Sequence, residues 1–528
     1  MAFHLLILNI QRKKGRGNDM KKRTLKRIAS FTLSSMMTVS LLSGCGGGKQ
    51  AESQPAAGEA AIAQTKGEEK EEPYVVTMLT QGEQQEDLPR IMEKVNEILV
   101  RDLNMKLNLL VAPYGSINQQ RQLMLTSGEP LDLVYLDASS AIGFMNNGQI
   151  IDLSDLIDKY GTNIKKYWGD EAKSANIGGF VFGVPNLNEV GNIPAIGMRK
   201  DMVEKYNIDV ESIKSLEDLE PVLAMIKEKE PTMTPVHICA DQPPISRQLS
   251  VIDPLIDGIA VLDNSGQNTT TIIPVTQSEA YKEKCELFHK WYQAGYINQD
   301  AATTTVQFES AFKAGSTFSA IMVWHPMSPK QFGGVDMAYA FLGEHRALSG
   351  ATSNADYGIA TNSQNPDKAM QLLDYLYGSE EVAQLLNWGE EGKDWVYVDK
   401  EQNVVSWPEG VDSNNATYHA QLSWALPNQF MASSWEGVWD PDVFEQMLKF
   451  NKEGKKSKGF GFAYNTESVE TELTALKNVQ EKYRISLETG AVDPAEYLPQ
   501  YEEALKQAGL DKLIEEKQKQ FDEWLAAQ

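Results

Sequence analysis

The chain has 528 residues, 42% of them hydrophobic and 9% aromatic, and a net charge of −24 at neutral pH. Such acidity argues against nucleic acid as a partner and against an electrostatic footprint on a membrane, since both need basic surface; its plain reading is solubility. The length allows two or more lobes, each with its own core.

In chain order, a cationic stretch from Lys21 to Arg27 comes first, followed by an uncharged, mostly apolar run from Ile28 to Leu42. This is the order of a secretory signal. The run is shorter than the roughly 20 apolar residues that a permanent spanning helix needs. It closes on Leu42, Ser43, Gly44 and Cys45, which resembles the bacterial lipobox, in which the Cys thiol receives diacylglycerol. Cys45 is thus the expected lipidation site and 1–45 the expected signal region. Residues 1–19 lie upstream of a second methionine, Met20, so either Met1 or Met20 can be the start. The segment 1–44 carries nine basic side chains and one acidic, which leaves the rest of the chain near −32. Residues 46–73, rich in Gly, Ala, Gln, Glu and Lys, have too little apolar surface to offset the entropy of ordering and read as a tether. A diacyl anchor supplies the two buried chains that stable attachment requires.

Cysteine and histidine usage is sparse. Beyond Cys45 stand only Cys239 and Cys285, for which a disulfide and two buried thiols are both open. The six histidines, among them His237, His325 and His419, are scattered without ligand spacing, so neither a metal site nor a cofactor is expected.

From Tyr74 onward, short β-rich runs alternate with helical patterns. Tyr74–Thr80 reads as a buried strand, and Leu88, Ile91, Met92, Val95, Ile98 and Leu99 then recur at helical spacing. A second strand spans Lys106–Ala112, a helix is centred on Gln119–Leu125, and a third strand is predicted at Leu131–Leu136. Such alternation predicts parallel βαβ units and an α/β lobe with right-handed crossovers. Ligands collect at the carboxyl ends of such strands, so the segments Gln81–Asp87 and Asp137–Ser140, both predicted as loops, become the first candidates.

From Phe180 a strand is predicted to reach Gly183, Val184 and Pro185, and a second, Ile193–Arg199, leads into a helix. Gly183-Val184-Pro185, followed by Lys200, Asp201 and Met202, resembles the hinge of the family 1 extracellular solute-binding proteins, relatives of maltose-binding protein. Ser127–Leu136 is similar to that family's strand before the hinge. Phe308–Trp324 resembles its segment ending in a pocket tryptophan, and Tyr357–Tyr375 its returning strand and helix. The matches keep family order over roughly 300 residues. Beyond Glu390, Gly392–Val396, Trp407–Val411 and Gly459–Phe462 resemble an additional C-terminal domain of unknown function in a lipoprotein branch of the family. The closing stripe Leu510, Leu513, Ile514, Phe521, Trp524 and Leu525 is expected to lock the tail onto a lobe.

The resemblance implies an α/β, two-lobed periplasmic-binding-protein-like fold of type II, with a hinge, an interlobe cleft and an α-rich C-terminal extension. Its expected divisions are 74–188 and 346–390 for the first lobe, 189–345 for the second, and 391–528 for the extension packed on the lobes. The implied function is capture of a carbohydrate, an oligosaccharide first of all, outside the cell for an ABC importer. The partners are then the permease subunits and, through lipid alone, the membrane; a monomer is expected and no nucleic acid.

A sugar site needs flat apolar faces for the rings and polar groups for the hydroxyls. The resemblance places a stacking residue at Trp324 and a hydroxyl-binding acid at Glu189. Asp137 and Glu83 follow strands of the first lobe, Asp241 lies in a loop of the second, and Tyr357, Trp388 and Trp435 are aromatic candidates that also suit a core. Met198 and Arg199 stand where many relatives have Tyr-Asn, which opens the chain length and linkage of the ligand. Two other readings stand beside this one. A glycan-degrading enzyme needs two carboxylates roughly 5–9 Å apart, but no nucleophile elbow, zinc-ligand pair or eight-fold βα repeat is present. A binding protein serving a sensor is barely separable by sequence.

Overall fold

A computed structural model describes residues 72–113, 115–332, 334–353, 355–420 and 422–528. The signal region with Cys45, and nearly all of the tether, lie outside the described residues.

Two five-stranded sheets organise the chain. In the first, the strand order is Met105–Ala112, Tyr74–Gln81, Leu133–Leu136, Asp356–Ile359, Val184–Pro185. Its first three strands run parallel. Asp356–Ile359 returns antiparallel to both Leu133–Leu136 and Val184–Pro185. The edge strand Met105–Ala112 alternates buried Met105, Leu107 and Leu109 with exposed neighbours, whereas all four residues of Leu133–Leu136 are buried, as a strand covered on both faces requires. The helix Leu88–Leu103 packs Ile91, Val95, Ile98 and Leu99 inward at spacings of three and four, and it ends at Asn104, which takes a left-handed turn (φ 51°).

The third strand begins two residues later than the sequence pattern suggests. Asp132 there turns its carboxylate to the Thr77 amide (2.8 Å) and the Tyr74 hydroxyl (3.0 Å), so the four-residue ladder starts at Leu133. The segment Asp137–Ser140 is not the predicted loop. Asp137 accepts from the Ser140 amide (2.9 Å) while the Ser140 hydroxyl accepts from the Asp137 amide (3.2 Å), a capping box that opens the helix Ala138–Asn146. The predicted run from Phe180 to Pro185 is two short strands, Phe180–Val181 and Val184–Pro185, which belong to different sheets.

The second sheet has the order Gln331–Phe332, Val335–Phe341, Ile193–Arg199, Thr317–Trp324, Thr234–His237. Pro194–Met198 are buried without interruption, so Ile193–Arg199 is its central strand. The helix Leu216–Lys229, started by a Ser215–Asp218 capping box, and the helix Glu279–Gln293 cover this sheet with Leu219, Leu223, Phe288 and Trp291. Cys239 and Cys285 are both free and buried, so no disulfide joins them.

The chain passes between the sheets twice, at 186–192 and along the segment that starts at 342 and ends before the strand Asp356–Ile359. After the second passage it divides its loyalty. Tyr418, Leu422, Leu426, Val443 and Phe450 enter the core of the first sheet. The helices Glu470–Glu488, Pro494–Gln507 and Leu510–Ala526 join the core of the second through Leu476, Tyr501, Leu513 and Phe521. Within the closing stripe, Leu510, Leu513 and Phe521 are fully buried there, while Ile514, Trp524 and Leu525 pack on its margin.

Candidate functional site

The two passages touch each other. Asn192 donates to the Arg346 carbonyl (3.0 Å) and Arg346 to that of Asn192 (2.9 Å), an isolated antiparallel bridge between the sheets. Beside it a cavity of about 310 Å³ opens, within the size range of small-ligand sites. The first sheet contributes Asp137 and Ser139, the passages Glu189, Asn192, Arg346 and Ser349, and the second lobe Ser246, Arg247, Pro254 and Ile256. Walls from both sides make this a cleft that a hinge can close. A larger depression of about 560 Å³, lined by Glu97, Glu380, Glu390 and Trp395, has no wall from the second sheet, so hinge motion cannot shut it.

Polar groups are concentrated next to the cleft. Asp137 is partly exposed, its carboxylate 3.9 Å from the Arg121 guanidinium. Arg121 is itself buried and donates to the Tyr135 carbonyl (2.7 Å); burial holds its pKa below the usual guanidinium value, with Asp137 opposing. Asp356 sits fully buried in register with Pro185 and with Leu136, the neighbour of the cleft residue Asp137. Neither of its carboxylate oxygens has a hydrogen-bond partner among the described residues. Burial raises its pKa well above the carboxylate range, and the charge of Asp137 adds to the rise. The side chains of Asn186, the Tyr135 hydroxyl and the Thr352 hydroxyl are likewise buried without partners among the described residues. Unsatisfied polar atoms in a native fold are uncommon, and these gather where the strands of the first sheet end. His325 lies near Glu189; burial depresses its pKa and the Glu189 charge partly restores it.

Sequence reasoning singled out Asp137 and Glu189, and the structure brings them into the same cavity. Asp241 is exposed close by; its carbonyl accepts from Arg247 (3.2 Å) and its carboxylate from Gln307 (3.4 Å). Glu83 is exposed in the turn after the first strand. Trp324 ends its strand half-buried, its ring 4.8 Å from Phe341 and 6.2 Å from Phe450. It is not among the residues lining the cavity. Tyr357 is fully buried, donating to the Ala425 carbonyl (2.7 Å) and sharing a hydrogen bond with the Thr80 hydroxyl (2.6 Å). Trp388 and Trp435 form a separate aromatic cluster with Trp407, closing around His419 with ring centroids 4.4–4.9 Å from it.

Trp424 was missed. It is 38% exposed, its ring 6.4 Å from Tyr135, and its carbonyl accepts from Asn188 (3.0 Å). Nothing in its local sequence marks it, because its exposure arises only when the segment after 391 folds back over the first sheet. Among the described residues no cluster of His, Cys, Asp and Glu is suited to a metal ion, and no helix is long and apolar enough to cross a membrane.

Two α/β bodies joined by the two passages between their sheets and by the later chain between Phe450 and Phe462, with a polar cleft between them, define a hinged ligand-binding protein, the type II periplasmic-binding architecture. The sequence pattern of the bacterial extracellular solute-binding proteins matches residues 99–390, more than half of the chain, and the protein belongs to that family. A domain of unknown function (DUF3502) matches residues 458–526. A carbohydrate ABC transporter substrate-binding protein of Streptococcus pneumoniae is 28% identical over 462 residues, 85% of this chain and 91% of its own. The crystal structure of the N-glycan transport solute binding protein NgtS of the same organism is 27% identical with a TM-score of 0.76, over 86% of this chain and 99% of that one. Structures of NgtS in complex with Man1GlcNAc and Man5GlcNAc score 0.70 and 0.68 over the same shares of the two chains. The family is one of binding proteins, not of enzymes.

Proposed function

We propose that this protein captures an oligosaccharide of N-glycan type in the cleft between its sheets and delivers it to an ABC permease. The observation that carries the reading is the cleft itself: Asp137, after the strand Leu133–Leu136, and Glu189, in the first passage, line one cavity with Asn192 and Arg346, walled by both lobes. These groups suit sugar hydroxyls, which bury at a cost unless each finds a partner. Trp424 lies outside the cavity lining, as Trp324 does, but Asn188, the neighbour of the cavity residue Glu189, holds its carbonyl, and its exposed ring is the face on which a pyranose ring stacks; Trp324 packs against Phe341 and Phe450 instead. The lower agreement with the two glycan complexes of NgtS fits a hinge closure around ligand, and ligand drives such closure only through its higher affinity for the closed form.

The lobes in this reading divide at 188/189 and 345/346, and Cys45 carries the lipid that holds the protein at the outer face of the cell membrane as a monomer. Titration calorimetry with Man5GlcNAc and Man1GlcNAc tests the reading. Saturable binding that Glu189→Gln and Asp137→Asn weaken by at least about tenfold, the worth of a lost charged hydrogen bond, supports it. Heat release unaffected by both substitutions would place the ligand elsewhere, and no binding of either glycan would reject the ligand class.

A further inference from the structure

The domain 458–526 carries two charged side chains with no exposure at all, Glu488 and Lys517. Each is directed at one segment of the cleft wall. Glu488, at the end of the helix Glu470–Glu488, accepts from the amides of Ile245 (3.1 Å) and Ser246 (2.9 Å) and from the Ser246 hydroxyl (3.1 Å). Its other oxygen accepts from the Tyr281 hydroxyl (3.3 Å). The turn so held, Pro244–Gln248, presents Ser246 and Arg247 to the cleft.

Lys517, from the helix Leu510–Ala526, places its ammonium in the loop that follows. It donates to the carbonyls of Leu255 (3.3 Å) and Ala260 (2.8 Å) and to the Asp257 carboxylate (2.5 Å), three acceptors for three protons. Asp257 also accepts from the Tyr464 hydroxyl (2.7 Å), and Gln480 donates to its carbonyl (3.1 Å), both again from the same domain. The loop needs such restraint. Leu255 and Ile256 stand at φ 43° and 78°, left-handed values that are strained for a γ-branched and a β-branched side chain. The result is that Pro254 and Ile256 point into the cleft, with Ile256 also touching the apolar cluster of the first lobe.

Fastening a helical domain to a lobe does not require buried charge; apolar residues of the same volume do it at least as well. What the charges add is direction, since each fixes named backbone groups at hydrogen-bond distance. We propose that the domain 458–526 is the template for the second-lobe wall of the cleft, with Glu488 and Lys517 as positioning residues that set the segments 244–248 and 254–256 and thereby the affinity for ligand. This rests on the reading that the cleft holds the glycan.

The test compares Glu488→Gln, Glu488→Leu and the double variant Lys517→Met with Asp257→Asn, which removes both charges of the pair together, all in the full protein. Amide hydrogen exchange reads the wall directly and needs no ligand; titration with Man5GlcNAc reads the consequence. Exchange at 253–260 in the double variant, and at Ile245 and Ser246 in Glu488→Leu, is expected to quicken about tenfold or more while distant core amides keep their protection. Man5GlcNAc affinity is expected to fall about tenfold, as small misplacements of binding groups do, with Glu488→Gln intermediate because it keeps an acceptor oxygen. Unchanged exchange at these amides overturns the proposal, as does quickened exchange with wild-type affinity. If the double variant does not fold, Glu488→Gln against Glu488→Leu decides by the same two readouts. A wild-type protein that binds no glycan sinks the ligand reading instead, and the exchange data then judge the template role alone.

Discussion

Asn192 and Arg346 exchange both backbone hydrogen bonds at the point where the two interlobe passages cross. Next to them Gly191 lies at φ 84°, so close that a Cβ there would collide with the Arg346 carbonyl and stand 2.8 Å from the Ala347 Cα. Only glycine meets both demands, and Gly191→Ala is expected to destabilise the protein by about 2–3 kcal/mol. Denaturant titration checks this; an unchanged midpoint would mean that the passages can separate without loss.

Trp424 and Trp324 are expected to behave oppositely. Trp424→Ala removes an exposed ring and is predicted to weaken Man5GlcNAc binding by about 2 kcal/mol, as loss of an aromatic anchor does, with little change in melting temperature. Trp324→Ala leaves a void against Phe341 and Phe450 and is predicted to lower stability by about 2 kcal/mol. Calorimetry and thermal melts on both variants separate the roles, and the reverse pattern would return the stacking role to Trp324.

Asp356 gives the protein a pH term. Its folded pKa is raised above the unfolded value, so the stability it contributes is full below the ordinary carboxylate range and is lost as pH rises through the folded value. Asp356→Asn abolishes that loss. The melting temperature of the variant relative to wild type should therefore climb between pH 4.5 and pH 8; a constant difference would show that Asp356 does not titrate in that window.

His419 has the opposite sign. Burial among Trp388, Trp407 and Trp435 lowers its pKa from 6.5 to about 4. Its neutral form is favoured in the fold, so the contribution is full above pH 6.5 and disappears as pH falls through about 4. The imidazole proton resonance is expected to titrate near pH 4 in the folded protein, and His419→Gln to flatten the acid side of the stability profile. A midpoint near 6.5 would refute the burial argument.

Much of the framework was legible in the chain. The alternation around Tyr74–Leu136, the strand reaching Val184 and Pro185 and the helical stripe ending at Leu525 are local patterns, and local periodicity reports which face of an element is buried. Asp137 was legible because it follows a strand terminus, where α/β sheets gather their loops, and Glu189 because of its place in the family resemblance. Trp424, Asp356, Arg346, Glu488 and Lys517 were not. Their neighbours come from segments tens to hundreds of residues away, as with Lys517 and Asp257, 260 positions apart.

By itself, then, the sequence determined, through spacing along the backbone, that strands and helices alternate into an α/β lobe, while the second lobe, the hinge and the kinship with extracellular binding proteins came from the resemblance of its motifs to a family. The tertiary structure alone decided that Trp324 backs a strand while Trp424 faces outward, that the segment after 391 serves both bodies, and that two buried charges of the last domain reach the cleft wall. Burial and hydrogen-bond partnership are set by groups distant in sequence, and no local pattern encodes which of them will meet.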